Sequence, residues 1–208
     1  MREKSRIAVL ASGRGSNFEA LARACLDCDY PAAVVVLITD NPEAGAVSIA
    51  DSFNIEHVAV DCGPKKGSMS PESSEKITAV CAAHKIDVVC LAGFMRIVKG
   101  ALMAAYRGRM LNIHPALLPS FRGLDAQRQA LEFGVRWSGC TVHFVDEGVD
   151  SGAIILQRIV PVRSDDTVES LSERILREEH VAYPEAVRFY ATGRLRVEGR
   201  RVIIREGV

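Results

Sequence analysis

The chain has 208 residues, 48% of them hydrophobic, which fits one globular domain, or one domain with a small appendage, with a substantial buried core. Lysine plus arginine and aspartate plus glutamate both total 26, so the formal net charge is zero; no global field draws the chain to nucleic acid or to an anionic membrane, although a local pocket for a small anion stays open. No apolar run reaches the ~18 residues that a bilayer span needs, and the apolar stretch near the start is too short for a signal peptide and reads as a first strand.

In chain order, "RIAVLAS" is an apolar, β-branched run ended by "GRG", a buried strand and then a loop. Phe18, Leu21, Ala22 and Cys25 follow at helical spacing on one face. "AAVVVLITD" is a second buried strand, closed by an Asp40-Asn41-Pro42 turn. A helix over about 42–53 and a short strand "EHVAV" come next. "DCGPKKGSMSPESS" is polar and rich in Gly, Pro and Ser, the composition of a mobile loop. A helix over about 71–84 leads into "IDVVCLAGF", a third buried strand. Continuous apolar strands alternating with helices predict a doubly wound α/β half with a parallel sheet, up to about Asn112. In such sheets ligands bind beyond the carboxyl ends of the strands. "SGRGSN", "LAGFMRIV" and "NIHPALLP" each directly follow a strand there.

The second half changes character. After a helix near 125–133, "GCTVHFV" and "AIILQRIVPV" read as paired strands joined by "DEGVDSG". Helical periodicity resumes at Val168, Leu171 and Ile175, with Thr167 as its N-cap. Pro184 is expected to kink that helix or to start another. "LRVEGRRVII" reads as a hairpin turned at Glu198-Gly199. The fold class is therefore α/β, with a doubly wound, mostly parallel sheet and an antiparallel C-terminal part. Six cysteines lie scattered, mostly in apolar segments, where thiols pack as small hydrophobes; a reducing cytoplasm is the simplest setting. The lone C-x-x-C, Cys25 and Cys28, has no second ligand pair and closes a helical pattern, so neither a zinc site nor a thioredoxin-like pair is expected.

Several residues carry chemistry. Asn112 and His114, two apart in a strand, point to the same side at the sheet's carboxyl edge. They would put an oxyanion stabiliser beside a proton carrier, with Pro115 and Pro119 stiffening the exit. A histidine satisfied by local backbone is the plainer alternative. Asp150 in "GVDSG" is either an ordinary turn aspartate or the carboxylate that orients His114. "SGRGSN" opens a helix and suits a phosphate, but it lacks both the G-x-G-x-x-G and the G-x-x-x-x-G-K-[ST] patterns. A tight turn with Ser16 as N-cap fits it equally well. Glu179 falls on the apolar stripe of its helix and so lies on a rim or faces a pocket, and Arg96 raises the same choice. His57 and His84 read as surface residues, His143 is undecided, and Trp137 reads as packing at a turn.

"ASGRGSN", "VVCLAGFMRIV", "LNIHPALLPSFRG", "QALEFGV" and "GCTVHFVDEGVDSGAIILQ" stand in order at natural spacings. Together they resemble the folate-dependent phosphoribosylglycinamide formyltransferases, over nearly the whole chain. The resemblance implies one formyltransferase domain over 1–208, with a ribonucleotide-binding half to about 112 and a folate-side half from about 113. It implies transfer of a formyl group from 10-formyltetrahydrofolate, the cosubstrate, to the amine of glycinamide ribonucleotide in purine synthesis, without a metal. Asn112 would bond the oxyanion, His114 would act as general acid, and Asp150 would organise the histidine and a water. Gly15, Ser16 and Asn17 would hold the phosphate, and Glu179 the ribose hydroxyls. Met95, Arg96, Ile97 and Val98 would line the pteridine pocket, and Asp146, Glu147, Gly148, Val149 and Asp150 would close over the ring. The family often has an arginine where Pro71 stands; either Lys65 or Lys66 substitutes at the folate tail, or the tail is held differently.

Related formyltetrahydrofolate hydrolases share the Asn-His-Asp core but carry an extra N-terminal domain, and the first strand here starts at about Arg6. Methionyl-tRNA formyltransferases carry a W-R-G-A-A-type stretch where "SFRGLDAQ" stands, and the zero net charge argues against an RNA partner. A non-catalytic binding module for a phosphorylated metabolite would keep the glycine loop without needing Asn112, His114 and Asp150 together.

Overall fold

Every backbone N–H and C=O withdrawn from water needs a partner, and the β-branched runs of this chain find theirs in strands. A computed structural model describes residues 3–63, 65 and 67–206. Among these, nine strands and six helices form a mixed α/β chain, mostly parallel in its first part and antiparallel toward its C-terminus. The chain divides into two compact units, Met1–Leu111 and Asn112–Val208.

The first unit begins with β1 (Ser5–Leu10), α1 (Ser16–Ala24), β2 (Ala32–Thr39), α2 (Gly45–Ser52) and β3 (Glu56–Ala59). It continues with α3 (Pro71–Ala83), β4 (Val88–Leu91), α4 (Gly100–Ala105) and the first residues of β5 (Met110–His114). Strands pair in the order β3-β2-β1-β4, all parallel. The last four residues of β1 and all of β4 are buried, as expected of strands covered on both faces.

The helix α4 has no sequence signature, because "GALMAA" is too short to display a period. Its N-terminus is capped from elsewhere. The Ser74 hydroxyl, in the first turn of α3, donates to the Lys99 carbonyl at 2.5 Å and accepts from the Leu102 N–H at 3.0 Å. A side chain on one helix thus does for its neighbour what an N-cap normally does locally.

The second unit completes β5 and adds α5 (Ala126–Phe133), β6 (Trp137–Phe144), β7 (Ile154–Pro161), α6 (Val168–Ala191), β8 (Leu195–Glu198) and β9 (Arg201–Ile204). β6 and β7 pair antiparallel, as do β8 and β9, and β9 meets β7 in parallel at Ile154 and Arg201. Thr167 caps α6 through a full capping box with Ser170. The helix packs on β6 and β7, burying Leu171, Ile175, Glu179, Ala182, Tyr183, Ala186 and Val187. Fully burying a leucine or isoleucine such as Leu171 or Ile175 contributes about 2 kcal/mol each. Pro184 starts no second helix: α6 runs through it to Ala191. Trp137 does not pack at a turn; it opens β6 and is 57% exposed.

Candidate active site

The strand β5 delivers Asn112 and His114 to one side, as two residues of the same parity must be. Asn112 is half-buried, whereas His114 is 5% exposed. The β6–β7 connection brings Asp150 to both. Its Oδ1 accepts from the Asn112 amide at 3.3 Å, and its Oδ2 lies 3.3 Å from His114 Nδ1. The Gly123 N–H donates to Oδ2 at 2.9 Å. Asp150 has φ 47, in the left-handed region, a strained placement for an aspartate that its bonds from Asn112 and Gly123 sustain. Gly152 permits the turn: a side chain there would run into the Phe144 carbonyl.

His143, undecided from sequence, joins this cluster. Its Nδ1 is 2.7 Å from the Phe144 carbonyl. A carbonyl only accepts, so Nδ1 carries the proton and Nε2 presents a lone pair. The Asn112 amide donates to that Nε2 at 3.1 Å. His114 is arranged the other way, with Nε2 donating to the Phe121 carbonyl at 2.8 Å. Its Nδ1 therefore faces Asp150, and any proton it takes up lands between imidazole and carboxylate. Burial, the largest influence, pushes the His114 pKa down, against the charge of Asp150 and the Phe121 carbonyl. Burial works to raise the Asp150 pKa. The closeness of His143, the Gly123 N–H bond and His114 outweigh it and leave the carboxylate below its ordinary range. The result is a neutral imidazole beside an ionised carboxylate, ready to accept a proton and hand it on.

The exit from β5 is held by a second buried knot. The Thr141 hydroxyl donates to the Ala116 carbonyl at 2.7 Å and accepts from the Leu118 N–H at 3.1 Å. Gln157 Nε2 donates to Thr141 Oγ1 and to the Leu118 carbonyl, both at 3.0 Å. The segment after Phe144 braces itself: Asp146 Oδ1 accepts from Ser151 Oγ and the Gly148 N–H. Asp146, Glu147, Gly148 and Val149 are all exposed. Glu179 is 5% exposed, on the α6 stripe where its spacing put it. The neighbouring Cys140 thiol is pushed up to about 12, by burial first and by Glu179 second.

In the first unit, Gly15 is the N-cap of α1, with φ 83 and no side-chain cap. This corrects Ser16, which is the first helical residue. A Cβ on Gly15 would stand 2.7 Å from the Ala46 backbone, so glycine is required both by φ and by space. Gly15 has no side chain to cap α1, and the N–H groups of Ser16 and Asn17 stand at the helix's positive end. The loop after β4 is tied to this one: Ser12 N donates to the Gly93 carbonyl at 3.2 Å, and Ser12 Oγ accepts from Met95 N at 2.9 Å. Met95 and Ile97 turn outward, 56% and 40% exposed, while Val98 is buried.

Arg96 does not offer its guanidinium to a pocket. Nε donates to Asp40 Oδ2 at 2.7 Å, and Nη1 to the carbonyls of Lys65 at 2.8 Å, Gly63 at 3.2 Å and Ser68 at 3.3 Å. The segment read as a mobile loop is thus gathered by an arginine. Lys65 is exposed, and Lys66 lies outside the described residues. Pro71 is the first residue of α3, behind the Ser70 N-cap, where its fixed φ favours the helix. Among the described residues, the exposed Asp27, Cys28 and Asp29 are the one set of three metal-ligating side chains whose ligand atoms all lie within 4.8 Å of one another.

An amide, two imidazoles and a carboxylate, with no serine or cysteine nucleophile among them, suit group transfer at a carbonyl carbon by proton transfer and oxyanion stabilisation. Residues 5–187 match the formyl transferase family, and the chain belongs to it. The phosphoribosylglycinamide formyltransferase of Bacillus subtilis is 38% identical over 88% of this chain and 93% of its own length. The crystal structure of glycinamide ribonucleotide transformylase 1 from Symbiobacterium toebii superposes with a TM-score of 0.93 at 46% identity, covering 99% of this chain and 96% of that one. The human trifunctional purine biosynthetic protein adenosine-3 is 43% identical over 92% of this chain. The chain spans only 19% of that relative's length.

Proposed function

We propose that the chain transfers the formyl group of 10-formyltetrahydrofolate to the amine of glycinamide ribonucleotide, in the cytoplasm, as a step of purine synthesis. The observation that carries this reading is the convergence of Asn112, His114 and Asp150 at hydrogen-bonding distance. The names of its relatives supply the substrate.

In this reading the amine attacks the formyl carbon, and the new C–N bond leaves a tetrahedral oxyanion. One N–H of Asn112 turns from His143 or Asp150 to that oxygen, a contact stronger in the transition state than in the ground state. The attacking amine must lose a proton and the folate N10 must gain one. His114 takes the proton at Nδ1, where Asp150 holds the imidazolium, and gives it to N10 as the C–N10 bond breaks. Asp150 also holds a water for that relay. His143 keeps the Asn112 amide aimed. Gly15, Ser16 and Asn17 hold the ribonucleotide phosphate at the head of α1, and Glu179 takes the ribose hydroxyls. Met95, Arg96, Ile97 and Val98 line the pteridine side, Arg96 through its backbone because its side chain is committed elsewhere. Residues Asp146 to Asp150 cover the ring.

The test mixes purified protein with 10-formyltetrahydrofolate, with and without glycinamide ribonucleotide, and follows absorbance. Deformylation that requires the ribonucleotide is the expected result. Deformylation without it makes the protein a hydrolase, and none in either case makes it a binding module or a transferase for another amine.

A further inference from the structure

We infer that Arg96 is a positioning residue whose guanidinium, by bonding Asp40 and the carbonyls of Gly63, Lys65 and Ser68, fixes the Met95–Val98 segment for the folate cosubstrate. The inference rests on the functional reading above for what binds there. It rests on geometry for the tether itself.

Four acceptors surround one side chain, and each has a reason to need it. Asp40, directly after β2, has a carboxylate only 7% exposed. Its Oδ1 is buried without a hydrogen-bond partner among the described residues, and its Oδ2 is held by Arg96 Nε at 2.7 Å. The three carbonyls belong to a glycine-rich connection with no strand or helix to satisfy them, and an arginine supplies several donors from one fork. The connection answers by holding the arginine's own backbone. The Gly67 carbonyl accepts from Ile97 N at 3.1 Å, and Ser68 forms an isolated parallel bridge with Ile97. Met95 N is fixed on the other side by Ser12 Oγ. The segment is therefore pinned at both ends, with Arg96 and Val98 turned inward so that Met95 and Ile97 face outward. Its shape depends on the ion pair between Arg96 and Asp40.

The consequence is a separation of kinetic effects. Asn112, His114 and Asp150 are held by hydrogen bonds of their own, so loosening the tether weakens cosubstrate binding and leaves the chemical step. The test is steady-state kinetics of Asp40→Asn and Arg96→Lys in the full chain, with amide exchange at Ile97. The expected result is a KM for 10-formyltetrahydrofolate about tenfold higher, with kcat and the KM for glycinamide ribonucleotide within about twofold, and faster Ile97 exchange. Simple loss of folded protein would lower kcat and leave both KM values. That outcome, or an unchanged KM for the cosubstrate in both variants, overturns the inference. Arg96→Lys keeps a cation against Asp40 and loses only the fork, so it remains readable if Asp40→Asn fails to fold. If the unaltered protein transfers no formyl group, the functional reading fails by itself. Ile97 exchange then still decides the tether: unchanged exchange in both variants overturns it.

Discussion

Replacing Thr141 by valine isolates the knot that holds the exit from β5. The side chains are nearly isosteric, so no cavity opens and only the hydroxyl is lost. Thr141 is fully buried, and water cannot replace it. The Ala116 carbonyl loses its donor and the Leu118 N–H its acceptor, whereas Gln157 keeps the Leu118 carbonyl. At about 1–3 kcal/mol for each of the two buried groups left unsatisfied, less about 1 kcal/mol regained by burying a methyl, the net cost is about 1–5 kcal/mol. Thr141→Ser keeps the hydroxyl and drops a methyl, for about 1 kcal/mol. Urea denaturation followed by circular dichroism reads both, and the slope should match the unaltered protein because the same surface is exposed on unfolding. If valine costs less than about 0.5 kcal/mol, or serine costs more than valine, the hydroxyl does not hold this segment and the reasoning fails.

Other predictions address the site and its supports. Asn112→Ala should lower kcat by about a hundredfold or more while the fold melts normally, as removal of one oxyanion donor does; full turnover with only weakened binding would contradict the mechanism. Because burial holds His114 below the ordinary histidine range, the acid limb of kcat/KM should inflect below that range. Asp150→Asn removes the charge that opposes burial and should move the limb further down, so a limb moving up would refute the assignment. Gly15→Ala should raise the KM for the ribonucleotide and lower stability by about 1–3 kcal/mol, through its φ and the contact with Ala46. Asp166 accepts both Arg174 nitrogens at 2.7 and 2.8 Å, chiefly for which its pKa is held far below the carboxylate range. A depressed carboxylate stabilises the fold above its unfolded pKa and loses that as pH falls. Asp166→Asn should therefore cost about 3 kcal/mol at neutral pH and little at strongly acidic pH, measured by denaturation at both.

The parallel half was legible because strands buried on both faces must be apolar throughout, and those runs cannot be read as anything else between helical patterns. Asn112 and His114 were legible for an equally simple reason, the two-residue period of a strand. His143 has the same period within "TVHFV", but what it meets depends on the pairing of β6, which no local pattern encodes. The Phe121 carbonyl and the Gly123 N–H are backbone groups and carry no signal at all. Ser16 was misplaced because a serine before a helix imitates an N-cap, while the left-handed turn at Gly15 had already started the helix one residue earlier than that role requires. Arg96 was correctly seen as a charge in an apolar setting. Its partners come from two other parts of the chain, so periodicity could not say which way it pointed.

The borrowed cap on α4 also constrains how this sequence can drift. Ser74 and Lys99 lie 25 residues apart, yet they form one heritable unit. Loss of the Ser74 hydroxyl alone strips α4 of its first-turn acceptor. A serine or aspartate arriving at position 99 would supply a local cap and make Ser74 dispensable. Loss of Ser74 first is costly, gain of the local cap first is not, and the two together are close to neutral. Descendants of this chain should therefore carry one arrangement or the other at the two positions, with the passage between them made through the redundant intermediate that has both caps.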